Sequence, residues 1–155
     1  MRTLAGFFRE DDHERAQALV EFALVLPIFL LVITGLVDVA RAVWEENTLA
    51  YAAREGTRYA IVHGSGGNPR VGPLHPAVTN PTQYNTNLIV DVVRQNAIGV
   101  PNVSVAIDYP DSDNQRNHRV TVDATAPFVP LPSQYLIGGA FRITLRGGSQ
   151  LYIQR

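Results

Sequence analysis

The chain has 155 residues, enough for one modest domain with an anchor and too few for two full domains. The net charge is −1, and the positive charges are scattered arginines, with no lysine and no basic block, which argues against the clustered positive face that phosphate binding requires, so no nucleic acid partner is expected. The absence of cysteine excludes disulfides, thiol catalysis and thiolate metal sites together, leaving packing alone to hold any folded head.

Residues 1–15 (MRTLAGFFREDDHER) are short, charged and mixed in sign. From Phe22 to Val37 runs an uncharged stretch, FALVLPIFLLVITGLV, and adding Ala18, Leu19 and Val20 brings it to the roughly 20 residues that a bilayer-spanning helix needs. Glu21 then stands at the mouth of the span and Pro27 inside it. A proline is tolerated there when neighbours satisfy the carbonyl it frees. The helical pattern continues past Asp38 through DVARAVWEENTLAYAAREGTRYAIV, which contains no proline and only Gly56. Arg41 and Glu45 stand four apart as a helix-surface pair. Ala52, Gly56 and Ala60, at i, i+4 and i+8, give a smooth face for close helix packing, either on the protein's own sheet or on another subunit. Trp44 is expected at the outer membrane–water interface, and Tyr51 in the packing of the head.

Residues 63–83 hold four glycines and four prolines and are read as a loop. A short helix follows from about Thr86 to Ala97, with Leu88, Ile89, Val92 and Val93 on one face and Gly99 and Pro101 ending it. The remainder reads as strands. Val103, Val105, Ile107 and Tyr109 alternate with polar or small residues, as do Val120, Val122, Ala124 and Ala126 beyond the turn PDSDNQRN. A loop with Pro127, Pro130, Pro132 and Gly138–Gly139 precedes a third alternation at Phe141, Ile143 and Leu145. Gly147–Gly148 is then a bulge or a turn before a last segment at Leu151–Ile153. The expected fold is α+β: a long N-terminal helix packed on a head of one short helix and a three- to four-stranded antiparallel sheet. The head is too small to be robust without the long helix as a second layer.

Three readings compete for the N-terminus: a plain signal anchor, a cleaved secretory signal, and a pilin-like start. The second has an A-x-A site at Ala40-Arg41-Ala42. Against it stand the sixteen-residue apolar run, the acid-rich leader and a helix pattern that runs straight through the cut. The third rests on Glu21, because a carboxylate at a membrane segment costs about 3 kcal/mol on insertion scales and is a functional hypothesis by default. A carboxylate high enough to reach headgroups and water would need no such role. Arginines 2, 9 and 15 before the span balance 41, 54 and 58 after it, so the positive-inside count gives no orientation.

Other chemistry has little support. Asp111, Asp113 and Asn114 resemble part of a calcium loop, but the acid at its twelfth position is missing, which favours a solvated turn. His63, His75 and His118 lack H-x-x-x-H spacing and read as surface residues. Ser65 and Ser133 lack the G-x-S-x-G elbow, so no enzyme activity, metal or cofactor is expected.

Residues 15–62 resemble the start of TadE-like proteins, pseudopilins of tight-adherence (Flp, type IVc) pilus systems. The pieces that carry the resemblance are ALVEFALVLP, the D-x-x-R element Asp38–Arg41 and the NTLAYAAREGTRYA block at 47–60. VTVDATAPFVPLP and the Gly-Gly strand after it are similar to the same family. The resemblance implies an inner-membrane subunit with three parts: a cytoplasmic leader at 1–16, a long helix at 17–62 spanning the membrane at about 18–38, and an extracytoplasmic head at 63–155. It further implies that a prepilin peptidase cuts between Ala16 and Gln17, with Ala16 standing where the family usually carries glycine. Glu21 would then neutralise the new N-terminal ammonium of Gln17 in an adjacent subunit, with Phe22 and Pro27 in the assembling segment. The implied partners are membrane lipid, a prepilin peptidase, and other pilin or pseudopilin subunits or copies of the chain itself. The alternative function is an anchored or secreted extracellular binding module that enters no filament.

Overall fold

The computed structural model describes residues 7–73 and 86–154, with side chains from residue 14 onward. One helix, α1 (Phe7–Val62), takes up the first third of the chain. At 1.5 Å per residue its 56 residues extend about 84 Å. It begins earlier than expected because the Phe7–Gln17 stretch contains no glycine or proline and runs without a break into the apolar segment. Pro27 lies inside it and the helix continues on both sides, with the carbonyl of Ala23 losing its usual i+4 donor.

The head follows in the order α2 (Asn87–Asn96), β1 (Ser104–Asp108), β2 (Arg119–Phe128), α3 (Leu131–Leu136) and β3 (Ile143–Tyr152). The three strands form one antiparallel sheet with β2 at its centre, and Ser104 pairs with Thr125 on one side and Phe128 with Ile143 on the other. Alternation works as the sequence implies. Val120, Val122, Ala124 and Ala126 are buried, and Val105, Ile107 and Tyr109 pack against the same core. The amphipathic face of α2 buries Ile89 and Val93 completely.

Two elements depart from the sequence reading. Gly147 and Gly148 form neither a bulge nor a turn but the middle of a continuous ten-residue strand. A Cβ on Gly147 would lie 2.6 Å from Ala50 Cα and still closer to the backbone of Leu49, so glycine is there because sheet and helix backbones meet. The proline-rich stretch after β2 is not all loop. Pro127 sits within β2, and α3 begins after Pro130 with Pro132 in its first turn, where a missing N–H costs nothing.

The half of α1 beyond Asp38 is the second layer of the head. Leu49, Ala52, Ala53, Thr57 and Ala60 are buried beneath the sheet and α2. The end of the chain is tied to the end of α1, since Gln154 N–H donates to the Ile61 carbonyl at 3.1 Å. The segment after α1 is fixed to the β1–β2 turn, with Ser65 N–H donating to the Asn114 carbonyl and Asn114 Nδ2 to the Val71 carbonyl, at 3.0 and 2.9 Å.

That turn is therefore not the solvated turn expected. Asp113 and Asn114 are buried. Asp113 binds the His118 ring and accepts from Gln115 N–H, while Asp111 takes a two-pronged contact from the Arg119 guanidinium and its backbone N–H. These hydrogen bonds from Arg119 hold the Asp111 carboxyl down to about 2. His63 is stacked on Tyr59 with its Nδ1 at the Tyr59 carbonyl, and His75 lies outside the described residues.

Tyr109 closes the same corner. Its ring lies over Gly72, whose φ of +90° and lack of a Cβ admit it, and its hydroxyl is buried without a hydrogen-bond partner among the described residues. Burial pushes this phenol up to about 12. The folded form thus holds the proton more tightly than the unfolded one. The resulting stability is fully present below pH 10 and is lost as pH rises to about 12. Because the chain has no lysine or cysteine, only tyrosine side chains titrate in that window. Tyr109→Phe is expected to be as stable as the parent or slightly more so at pH 7, since it removes an unsatisfied hydroxyl. It should also lose less stability between pH 10 and 12, as urea titrations at the two pH values would measure.

Candidate membrane and assembly site

The first half of α1 has no intramolecular partner among the described residues. Its large apolar side chains from Leu19 to Val37 are between 36% (Leu26) and 68% (Leu19, Leu36) exposed, and the most apolar window of the helix buries none of its residues in the protein. A continuous apolar sleeve of this length is not stable in water, and its length and composition match a bilayer core. Thr34 turns its hydroxyl back onto the Leu30 and Leu31 carbonyls at 2.9 and 3.0 Å, so it adds no unsatisfied donor to that sleeve.

Ala16, Gln17, Glu21, Phe22 and Pro27 all lie on the unpacked part of α1 and are exposed. Gln17 Nε2 donates to Glu21 Oε1 at 3.4 Å, one helical turn apart. No cation among the described residues pairs with Glu21. The Ala16–Gln17 peptide lies within the helix.

Ala52, Gly56 and Ala60 are in a different environment. A Cβ on Gly56 would collide with Val93 Cγ2 and lie 3.4 Å from Val122 Cγ1 and 3.5 Å from Ile89 Cγ2. The small-residue face therefore receives α2 and β2 of the same chain, and none of it is available to another subunit. Tyr51, expected in the head's packing, is 53% exposed because it falls on the opposite side of α1 from Leu49 and Ala53.

Between the two zones is a polar neck. Asp38, only 6% exposed, accepts from Arg41 Nη1 at 3.0 Å through one oxygen and from the backbone N–H of Leu131 at 2.7 Å through the other. Leu131 is the first residue of α3, whose own N-cap position is Pro130, with no side chain able to cap it. An acid on α1 thus supplies the cap that the α3 sequence lacks. Arg41 continues the network toward Glu45 at 3.8 Å, and its guanidinium lies 5.3 Å from the Phe128 ring centre. Burial raises the Glu45 carboxyl above its ordinary range, against a smaller lowering by Arg41. Arg41, Glu45 and Phe128, with Gln134, Gly139 and Arg142, line an open cleft of about 370 Å³.

The spacing of Asp38 and Arg41 was visible in the sequence; the role of Asp38 was not, because its partner is a backbone N–H 93 residues away. Ser133 was also noted, as a residue without a catalytic setting. It is a buried staple, its hydroxyl bonded to both the carbonyl and the N–H of Phe141 at 3.0 Å. Trp44, expected at the membrane interface, is half exposed, and its ring edge fits against Gly99, where a Cβ would approach to 2.7 Å.

A single long helix, bare and apolar in its first half and packed under an α+β head in its second, fits a single-pass membrane anchor. Residues 16–58 match the family described as TadE-like protein, the family that the sequence resembles, and the matched stretch runs from the entry of the span into the packed half of α1. The β2–α3 segment that also suggested the family lies outside the match. No curated protein and no solved structure matches the chain.

Proposed function

We propose that the protein is a non-enzymatic, pilin-like subunit of a tight-adherence pilus or a related envelope filament. It is held in the cytoplasmic membrane with its N-terminus inside and its head outside, and it assembles through the bare half of α1. The observation that carries this reading is a TadE-like helix whose apolar first half is unpartnered while its small-residue face is already used inside the head. Contact between subunits then falls to the segment around Glu21, Phe22 and Pro27. There, opposite charges attract strongly in a low-dielectric bundle and either charge alone is penalised. Once the leader is removed, Gln17 would carry a new ammonium one helical turn, about 6 Å, from the level of the Glu21 carboxylate at the entrance to the span.

N-terminal sequencing of the membrane-extracted protein tests the processing step. A start at Gln17 supports the pilin-like reading, an intact Met1 favours a permanent anchor, and a start at Val43 gives a secreted domain. Glu21→Ala is expected to leave the protein in the membrane fraction and to abolish filaments seen by electron microscopy. Normal filaments from that variant would remove Glu21 from assembly.

A further inference from the structure

The head has a foot, and it is apolar. The last residues of α3, Tyr135 and Leu136, lead into Ile137-Gly138-Gly139-Ala140-Phe141, and the four large side chains of this stretch are between 56% (Phe141) and 78% (Tyr135) exposed. The segment is ordered from within: Gly139 N–H donates to the Ser133 carbonyl, Ser133 staples Phe141, and Gly138 and Gly139 take φ of +64° and +76° to make the reversal. Aromatic and aliphatic side chains displayed on a fixed loop are unfavourable in water, and among the described residues nothing in the head covers these.

The loop's level along α1 says what does. The Asp38–Leu131 hydrogen bond fixes the start of α3 beside the residue at which the apolar run ends. From there β3 climbs along α1. Gly147 meets Leu49 and Ala50, and Gln154 reaches Ile61, so Tyr135–Phe141 is at the end of the head nearest the span. No charged residue occurs from Ala124 to Phe141, and the first to follow, Arg142, is exposed at the rim.

We propose that this loop is a second membrane contact, with Tyr135, Leu136, Ile137 and Phe141 inserted into the outer leaflet's interfacial zone beside the exit of α1. The occupant is the phospholipid surface because the Asp38–Leu131 hydrogen bond holds this apolar face at the level where the bare sleeve of α1 ends, where tyrosine and arginine suit the headgroup layer. The inference rests on the reading of α1 as a membrane span.

The natural absence of cysteine makes a clean test possible on the full chain. Leu136→Cys and, separately, Tyr135→Cys are labelled with a polarity-sensitive dye and reconstituted into phosphatidylcholine–phosphatidylglycerol vesicles carrying a nitroxide at carbon 5 of the acyl chain. Leu26→Cys in the span and Gln150→Cys on the exposed far part of β3 serve as references. Emission from the two loop sites is expected to fall about twofold, as for side chains held ~5–10 Å into the headgroup boundary, while emission at Gln150→Cys stays constant. Quenching at Leu26→Cys with none at either loop site overturns the loop contact and leaves the span intact. No quenching at Leu26→Cys overturns the span and the loop contact with it. A blue-shifted but unquenched signal at both loop sites means that protein covers the loop, which also overturns the proposal.

Discussion

Gly147→Val is expected to unfold the head. The strand backbone at Gly147 lies against the helix backbone at Leu49 and Ala50, and a Cβ there would meet main-chain atoms, which cannot move aside as the end of a flexible side chain can. Relief requires β3 to lift from α1, and β3 is held along its length to β2 and at its end to Ile61. Overpacking a core typically costs about 1–3 kcal/mol, and a backbone-to-backbone clash belongs at or above the top of that range. For a domain of this size the loss corresponds to a fall in Tm of about 10 °C or more. Gly148→Ala is the control. The pleat turns it to the other face, where a Cβ meets only the carboxylate end of Asp123, so the cost is limited to adjusting the exposed Arg146–Asp123 pair. Thermal melts of the two variants in detergent, followed by circular dichroism, should differ widely. Equal and small shifts would show that the helix and sheet separate more freely than their contact implies.

Asp38→Ala is expected to release α3 without unfolding the sheet. The carboxylate is buried and divided between a guanidinium and a main-chain N–H, and its removal leaves Leu131 N–H uncapped and Arg41 with only the longer contact to Glu45. Losing hydrogen bonds to a charged group of this kind costs about 2–3 kcal/mol. Asp38→Asn keeps an acceptor for one partner and should lose less. Hydrogen exchange separates the two effects. Amides at 131–141 should exchange faster in Asp38→Ala, while those of β2 at Val120–Ala126 keep their protection. Uniform loss across the sheet would mean that the neck is part of the core rather than a clasp between core and foot.

What could be read from sequence followed the periodicities. Leu88, Ile89, Val92 and Val93 identified the buried face of α2, and Val120 to Ala126 that of β2, because each pattern is set locally and one side of each element is covered. The apolar run and Glu21 were legible for a simpler reason, the cost of placing them in water or in lipid respectively. The features that escaped depend on distant partners. Gly147–Gly148 has the local chemistry of a turn, and only the approach of α1 makes it a strand. Leu131–Leu136 begins among prolines and lacks its own cap, so α3 is invisible until Asp38 is placed beside it. Asp111 and Asp113 read as solvated because the arginine and histidine that engage them come from the next strand's start. Tyr135 to Gly139 reads as loop among its prolines and glycines and Phe141 as the start of the third strand, whereas β3 begins only at Ile143; the significance of Tyr135–Phe141 comes from its height on α1 rather than from its composition.

The continuity of α1 also has a mechanical consequence. Helix and head share one rod with no linker at the membrane surface, so the head cannot swivel independently of its anchor. Val62 lies 35 residues beyond Pro27, about 52 Å along the axis. A bend of about 20° at that proline would carry the far end of the helix sideways by ~18 Å. Small changes in how the span is gripped are thereby magnified into large displacements at the head, as with a lever pivoted near one end.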